Sequence, residues 1–163
     1  MKLPDPGLYR TTQAYPGHEE ELPDGALVYV GAARDGGLPF VVRPRSNRKN
    51  RWYWGEPTLP LRALNWAQTL VALPPEGFYI LPDDLTIDGG GRWVKHAIVQ
   101  LGYNSAGRGI LFVAEQHDDD DRNALVFGDR GRLIEDALLK RLSWAPILPV
   151  ASAKASAGTP TKE

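Results

Sequence analysis

The chain contains no cysteine. That excludes disulfide staples, thiolate metal sites and a cysteine nucleophile, and it fits a reducing compartment. Net charge is nearly absent too, −1 over 163 residues, so no global field recruits nucleic acid or an anionic membrane. Histidine is scarce. His18, His96 and His117 are the only three, far apart and without the spacings that hold zinc. No apolar run approaches the ~20 residues that span a bilayer, and the first ten residues lack the apolar stretch of a signal peptide. The expectation is a soluble, cytoplasmic protein with no membrane partner, no cofactor and no metal.

What the chain does have is turn chemistry. Seventeen glycines and fourteen prolines favour many turns and short strands over long helices. A hydrophobic content of 42% with 24% charged residues places it among globular chains rather than disordered ones.

The order of its motifs repeats. Pro4-Asp5-Pro6-Gly7-Leu8-Tyr9 returns as Pro74-Pro75-Glu76-Gly77-Phe78-Tyr79, and Ala26-Leu27-Val28-Tyr29-Val30-Gly31 as Ala97-Ile98-Val99-Gln100-Leu101-Gly102. A glycine-containing turn and an apolar run follow in both halves. After a charged loop, Asn50-Arg51-Trp52-Tyr53-Trp54-Gly55 matches Asn123-Ala124-Leu125-Val126-Phe127-Gly128. Residues 61–71 and 133–142 then carry helix-like apolar spacing. Asp35-Gly36 between β-rich runs is a strong hairpin signal.

These blocks predict a mainly β, α+β fold made by tandem duplication. Each module is a small curved antiparallel sheet, or SH3-like half-barrel, of four strands plus one helix. Residues 1–73 form the first repeat, residues 74–150 the second, and residues 151–163 a disordered tail without large apolar side chains. A unit of about 70 residues buries too little surface to be stable alone, so the two are expected to pack face to face as one compact body.

A repeated chain permits one copy to be read against the other. Alternate strand residues point to opposite faces, so Trp52 and Trp54 share the face of Leu125 and Phe127, which is expected to be core. Tyr53 points the other way and is a candidate for binding. The loops before these strands differ most. The first carries Arg43, Arg45, Arg48, Lys49 and Arg51 with no acid, and the second carries Glu115, Asp118, Asp119, Asp120 and Asp121. Opposite charge at equivalent places is not needed by a shared core, and it marks these loops as candidate electrostatic recognition surfaces.

Catalytic motifs fail on inspection. Residues 102–107 lack the Gly-x-Ser-x-Gly elbow. Asp118 to Asp121 lack the glycine at the sixth and glutamate at the twelfth position of a calcium loop. Gly89-Gly90-Gly91-Arg92 opens no helix and precedes no Lys-Ser/Thr pair, which excludes a P-loop. The sequence therefore favours a non-enzymatic protein-binding or adaptor module, of which an immunity- or antitoxin-like protein is one form. A second reading is an accessory nucleic-acid binder using residues 43–51 with Tyr53, and a third is an enzyme of unassigned class. Another protein is the expected partner, with self-association a further outcome of the oppositely charged loops.

Overall fold

The computed structural model describes residues 2–33, 35–115 and 124–147. Among them are twelve strands and two short helices, so the fold is mainly β. The first half contributes β1 (Gly7–Arg10), β2 (Leu27–Gly31), β3 (Phe40–Arg48), β4 (Arg51–Pro60), α1 (Leu64–Ala67) and β5 (Val71–Leu73). The second contributes β6 (Gly77–Ile80), the small hairpin β7 (Leu85–Thr86) and β8 (Arg92–Trp93), β9 (Ile98–Tyr103), β10 (Gly109–Glu115), β11 (Val126–Leu133), α2 (Asp136–Leu139) and β12 (Ser143–Trp144).

The two five-stranded antiparallel sheets have the same connectivity, β4-β3-β2-β1-β5 and β11-β10-β9-β6-β12. Their registers agree as well. Tyr9 pairs with Val28 as Tyr79 pairs with Val99, and Val30 with Val41 as Leu101 with Leu111. Both long hairpins shift register after matching positions, Val42 and Phe112, so that Trp54 opposes Pro44 as Phe127 opposes Ala114. Even a side-chain detail recurs: the Tyr9 hydroxyl donates to the Asp5 carbonyl and the Tyr79 hydroxyl to the Pro75 carbonyl, each at 2.7 Å.

Several elements differ from the sequence expectation. The helices over 61–71 and 133–142 shrink to one turn each. Leu61 instead donates its N–H to Pro39 and Ile134 to Gly109, which holds the flanking residues to the sheet edge. The chain leaving each helix adds a fifth strand, β5 or β12, and apolar spacing alone could not separate these from helix. Between β8 and β9 the chain makes a turn in which His96 has φ 70°. The Gly89-Gly90-Gly91 run is the tip of the β7–β8 hairpin, with Gly89 and Gly90 both at positive φ.

The two halves pack one sheet face against another, but not through the same face of each. In β2, Val28 and Val30 enter a core with Leu22, Val41, Leu61 and Trp66 that belongs to the first half alone. Leu27, on the reverse face with Leu8 and Leu73, enters a second core with Tyr79, Val99, Leu101, Leu111, Ile134 and Leu139. The second unit thus docks its core face against the reverse side of the first sheet. Strand alternation lets one sheet serve two cores. Arg10 on β1 fastens the junction, donating to both oxygens of Asp136 at 3.1 and 2.5 Å and to the Gly107 carbonyl at 3.3 Å. The Leu27 N–H reaches the Ser105 carbonyl at 2.8 Å.

Candidate functional site

The basic segment expected as a loop is a hairpin. Residues 43–48 complete β3, Lys49 and Asn50 make the two-residue tip, and Arg51 begins β4 opposite Arg48. Both tip residues have positive φ, 51° and 64°, as the tight turn that matches strand twist requires. Asparagine tolerates this backbone well and lysine less so. The tip is tied to the second sheet: the Asn50 amide donates to Gln100 and to the Gly128 carbonyl, each at 2.9 Å. Gln100 in turn donates to the Lys49 carbonyl at 3.2 Å. The tip also lies so close to Gly102 that a Cβ there would sit 2.9 Å from the Asn50 carbonyl oxygen. A charged strand pair of this kind escapes sequence reading because its alternation is polar against aromatic, without the Asn-Gly signal of a hairpin.

Anchored in this way, the hairpin walls a cleft of about 880 Å³ against the start of β6. Arg48, Lys49, Arg51 and Tyr53 contribute to it, and Trp52, Trp54, Tyr29 and Phe78 add aromatic surface. Among the described residues, no carboxylate lies within the 4 Å of an ion pair with any of the hairpin's cations. The Arg48 guanidinium carbon lies 5.9 Å from the centre of the Tyr53 ring, within cation–π range. Tyr53 itself is 48% exposed.

The expected set therefore divides. Arg48, Lys49, Arg51 and Tyr53 share the cleft. Arg43 and Arg45 line a separate hollow of about 320 Å³ with Glu21 and Glu56, and Arg43 donates to the Glu21 carbonyl at 3.2 Å. Two register shifts in the β3–β4 pairing, after Val42 and after Pro44, lie between these two arginines and the tip. Asp118, Asp119, Asp120 and Asp121 lie outside the described residues.

Trp52 and Trp54, expected in the core, are only half-buried. Each packs one side on the shared core and turns the other to the cleft. The Trp52 indole N–H donates to the Tyr103 carbonyl at 2.7 Å, and the Trp54 ring lies 5.5 Å from that of Tyr29. Leu125, paired with Trp52 in the sequence comparison, is 64% exposed and contributes no core. Phe127 does pack, against Phe78 at 5.1 Å.

Glu76 went unnoticed in the sequence. It stands where Pro6 stands in the matching block of the first half, and an acid at that difference was the available signal. Both carboxylate oxygens accept from the Trp52 N–H at 3.2 Å, capping a donor on the outer edge of β4. Burial pushes its carboxyl up to about 7, although the Trp52 N–H and the charge of Arg51 pull the other way. Nearby, the Tyr103 hydroxyl donates to the Pro74 carbonyl at 2.6 Å, and burial pushes its pKa above the ordinary tyrosine value.

Chemically the cleft offers cations at the rim, aromatic surface within and one half-buried carboxyl. Among the described residues no group of three or more histidines, acids or cysteines is placed to hold a metal. No helix there is long and apolar enough to cross a membrane. No family model matches the chain, and neither a curated protein nor a solved structure matches it.

Proposed function

We propose that the chain is a non-enzymatic binding module, built by internal duplication, that takes an acidic segment of a partner protein into the cleft beneath the β3–β4 hairpin. The observation that carries this reading is the gathering of Arg48, Lys49 and Arg51 with half-buried tryptophans around one cleft, on a hairpin held rigid by Asn50. Unpaired cations beside apolar surface attract anionic groups, and aromatic rings supply contact area at little entropy cost. A preformed arm also avoids the ordering penalty that a mobile loop would incur on binding.

Nucleic acid fits less well. Its backbone needs cations spaced along a track, whereas Arg43 and Arg45 turn to a hollow shared with two glutamates. The Glu76 carboxyl also faces the cleft. Tryptophan fluorescence of the full chain, titrated with an oligoglutamate peptide and with an oligothymidylate of equal charge, separates the readings. The peptide is expected to bind in a salt-sensitive manner and to be weakened about ten-fold, about 1.4 kcal/mol, by joint Arg48→Ser and Arg51→Ser substitution. Tighter binding of the oligonucleotide would replace the protein-partner reading with the nucleic-acid one.

A further inference from the structure

Among the described residues, Glu76 has acceptor capacity that is left unused. A carboxylate offers about four lone-pair positions. Among the described residues its one hydrogen-bond donor is the Trp52 N–H, shared between the two oxygens. The six ion pairs among those residues do not include it. It lies in the same cleft as the rings of Tyr29, Trp52, Trp54 and Phe78, and aromatic faces attract a cation within about 6 Å of their centres. A lone carboxylate among aromatic side chains is a place for a positive group. The rim of the same cleft is a place for a negative one.

We propose that Glu76 sets the specificity of the cleft, which takes a segment carrying both charges. An acidic side chain lies on Arg48, Lys49 and Arg51, and a lysine or arginine head seats on Glu76 beside the tryptophans. The inference rests on the acidic-segment reading above and narrows its ligand. A purely acidic segment leaves Glu76 buried without its counter-charge and sets two like charges in one cleft, a penalty that discriminates against it. A purely basic segment is repelled at the rim. Only the mixed segment satisfies both.

The charged and titratable groups around Glu76 make the pH response readable. Arg48 and Lys49 come from β3 and its tip, Arg51 and Tyr53 from β4, and Tyr29 from β2. The charge of Glu76 in turn helps raise the Tyr103 hydroxyl of β9. Burial pushes the Glu76 carboxyl up to about 7, which places its change of charge between about pH 6 and about pH 8.

The full chain is titrated, by tryptophan fluorescence, with capped peptides holding one glutamate and one lysine across a glycine spacer of varied length. Peptides with glutamate alone or lysine alone serve as controls. At least one mixed peptide is expected to bind about ten-fold more tightly than either control, equivalent to about 1.4 kcal/mol. Its affinity rises from about pH 6 to about pH 8, while that of the glutamate-only peptide falls. Glu76→Gln keeps an acceptor for Trp52, and it should abolish both the preference and the opposed pH trends. If the glutamate-only peptide binds as well as every mixed one, with the same pH trend and no change in Glu76→Gln, this inference is overturned and the acidic-segment reading stands. If no acid-bearing peptide binds, both fall. The opposed pH trends in the unsubstituted chain decide the matter even if the variant folds poorly.

Discussion

Replacing Glu76 by glutamine should stabilise the protein at neutral and alkaline pH, and not at acid pH. The unfolded chain holds this carboxyl at the ordinary value near 4.5, whereas burial in the folded chain pushes it up to about 7. A group whose folded value is raised favours folding fully below its unfolded value. That advantage disappears as pH rises through the folded value. Below about pH 4 the carboxyl is neutral in both states, and glutamine should change little. Above about pH 8 the folded protein must hold a carboxylate that burial disfavours, and glutamine removes that burden. At about 1.36 kcal/mol per pH unit the full difference would be about 3.4 kcal/mol. The carboxyl is only half-buried, and solvent screening reduces this to about 1–2 kcal/mol. For a chain of this length that is roughly 3–6 °C in melting temperature. Thermal unfolding followed by circular dichroism, for both proteins at about pH 4 and about pH 8.5, reads it directly. Equal melting temperatures at alkaline pH would refute the argument, and so would a stabilisation of the same size at acid pH.

Three further outcomes follow from the packing. Leu27→Ala removes a side chain with no exposure from the core shared by the two sheets. It should cost about 2–5 kcal/mol and lower one common transition, seen equally by chemical denaturation of both halves, rather than melt the first half alone. Trp54→Ala should cost about 2 kcal/mol, roughly half the cost for a fully buried large aromatic. It should also weaken acidic-peptide binding, and a neutral effect on binding would remove Trp54 from the cleft. Asn50→Ala loses two side-chain hydrogen bonds and a residue suited to φ 64°, for about 1–3 kcal/mol. Faster amide exchange confined to the β3–β4 hairpin is its expected signature.

The mainly β character was legible in the chain, because short apolar runs and glycine-bearing turns are local signals. The match of Trp54 with Phe127 came from spacing alone, and the two residues do occupy equivalent register positions. The helices were overread. Residues 61–71 keep an apolar spacing that one helical turn followed by a strand also produces, and length is settled by which backbone groups find partners in the sheet.

The candidate site was legible only in part. A run of arginines announces charge but says nothing of direction, so Arg43 and Arg45 looked equivalent to Arg48 and Arg51. Register shifts in the β3–β4 pairing, which local propensity does not announce, lie between them. Trp52 and Trp54 were rightly placed on one face, yet a strand face has no sign until a second layer covers it. The second unit covers the reverse of the first sheet incompletely, and the cleft lies where that cover stops. Glu76 acquires its character only there, since a carboxyl beside Pro75 is ordinary until the Trp52 N–H and the surrounding rings close on it. Sequence by itself thus determined the mainly β character and the charge on the hairpin, both encoded within short windows. Tertiary structure decided which face meets which core and which charges share a cleft. Those are properties of residues distant along the chain, brought together by packing.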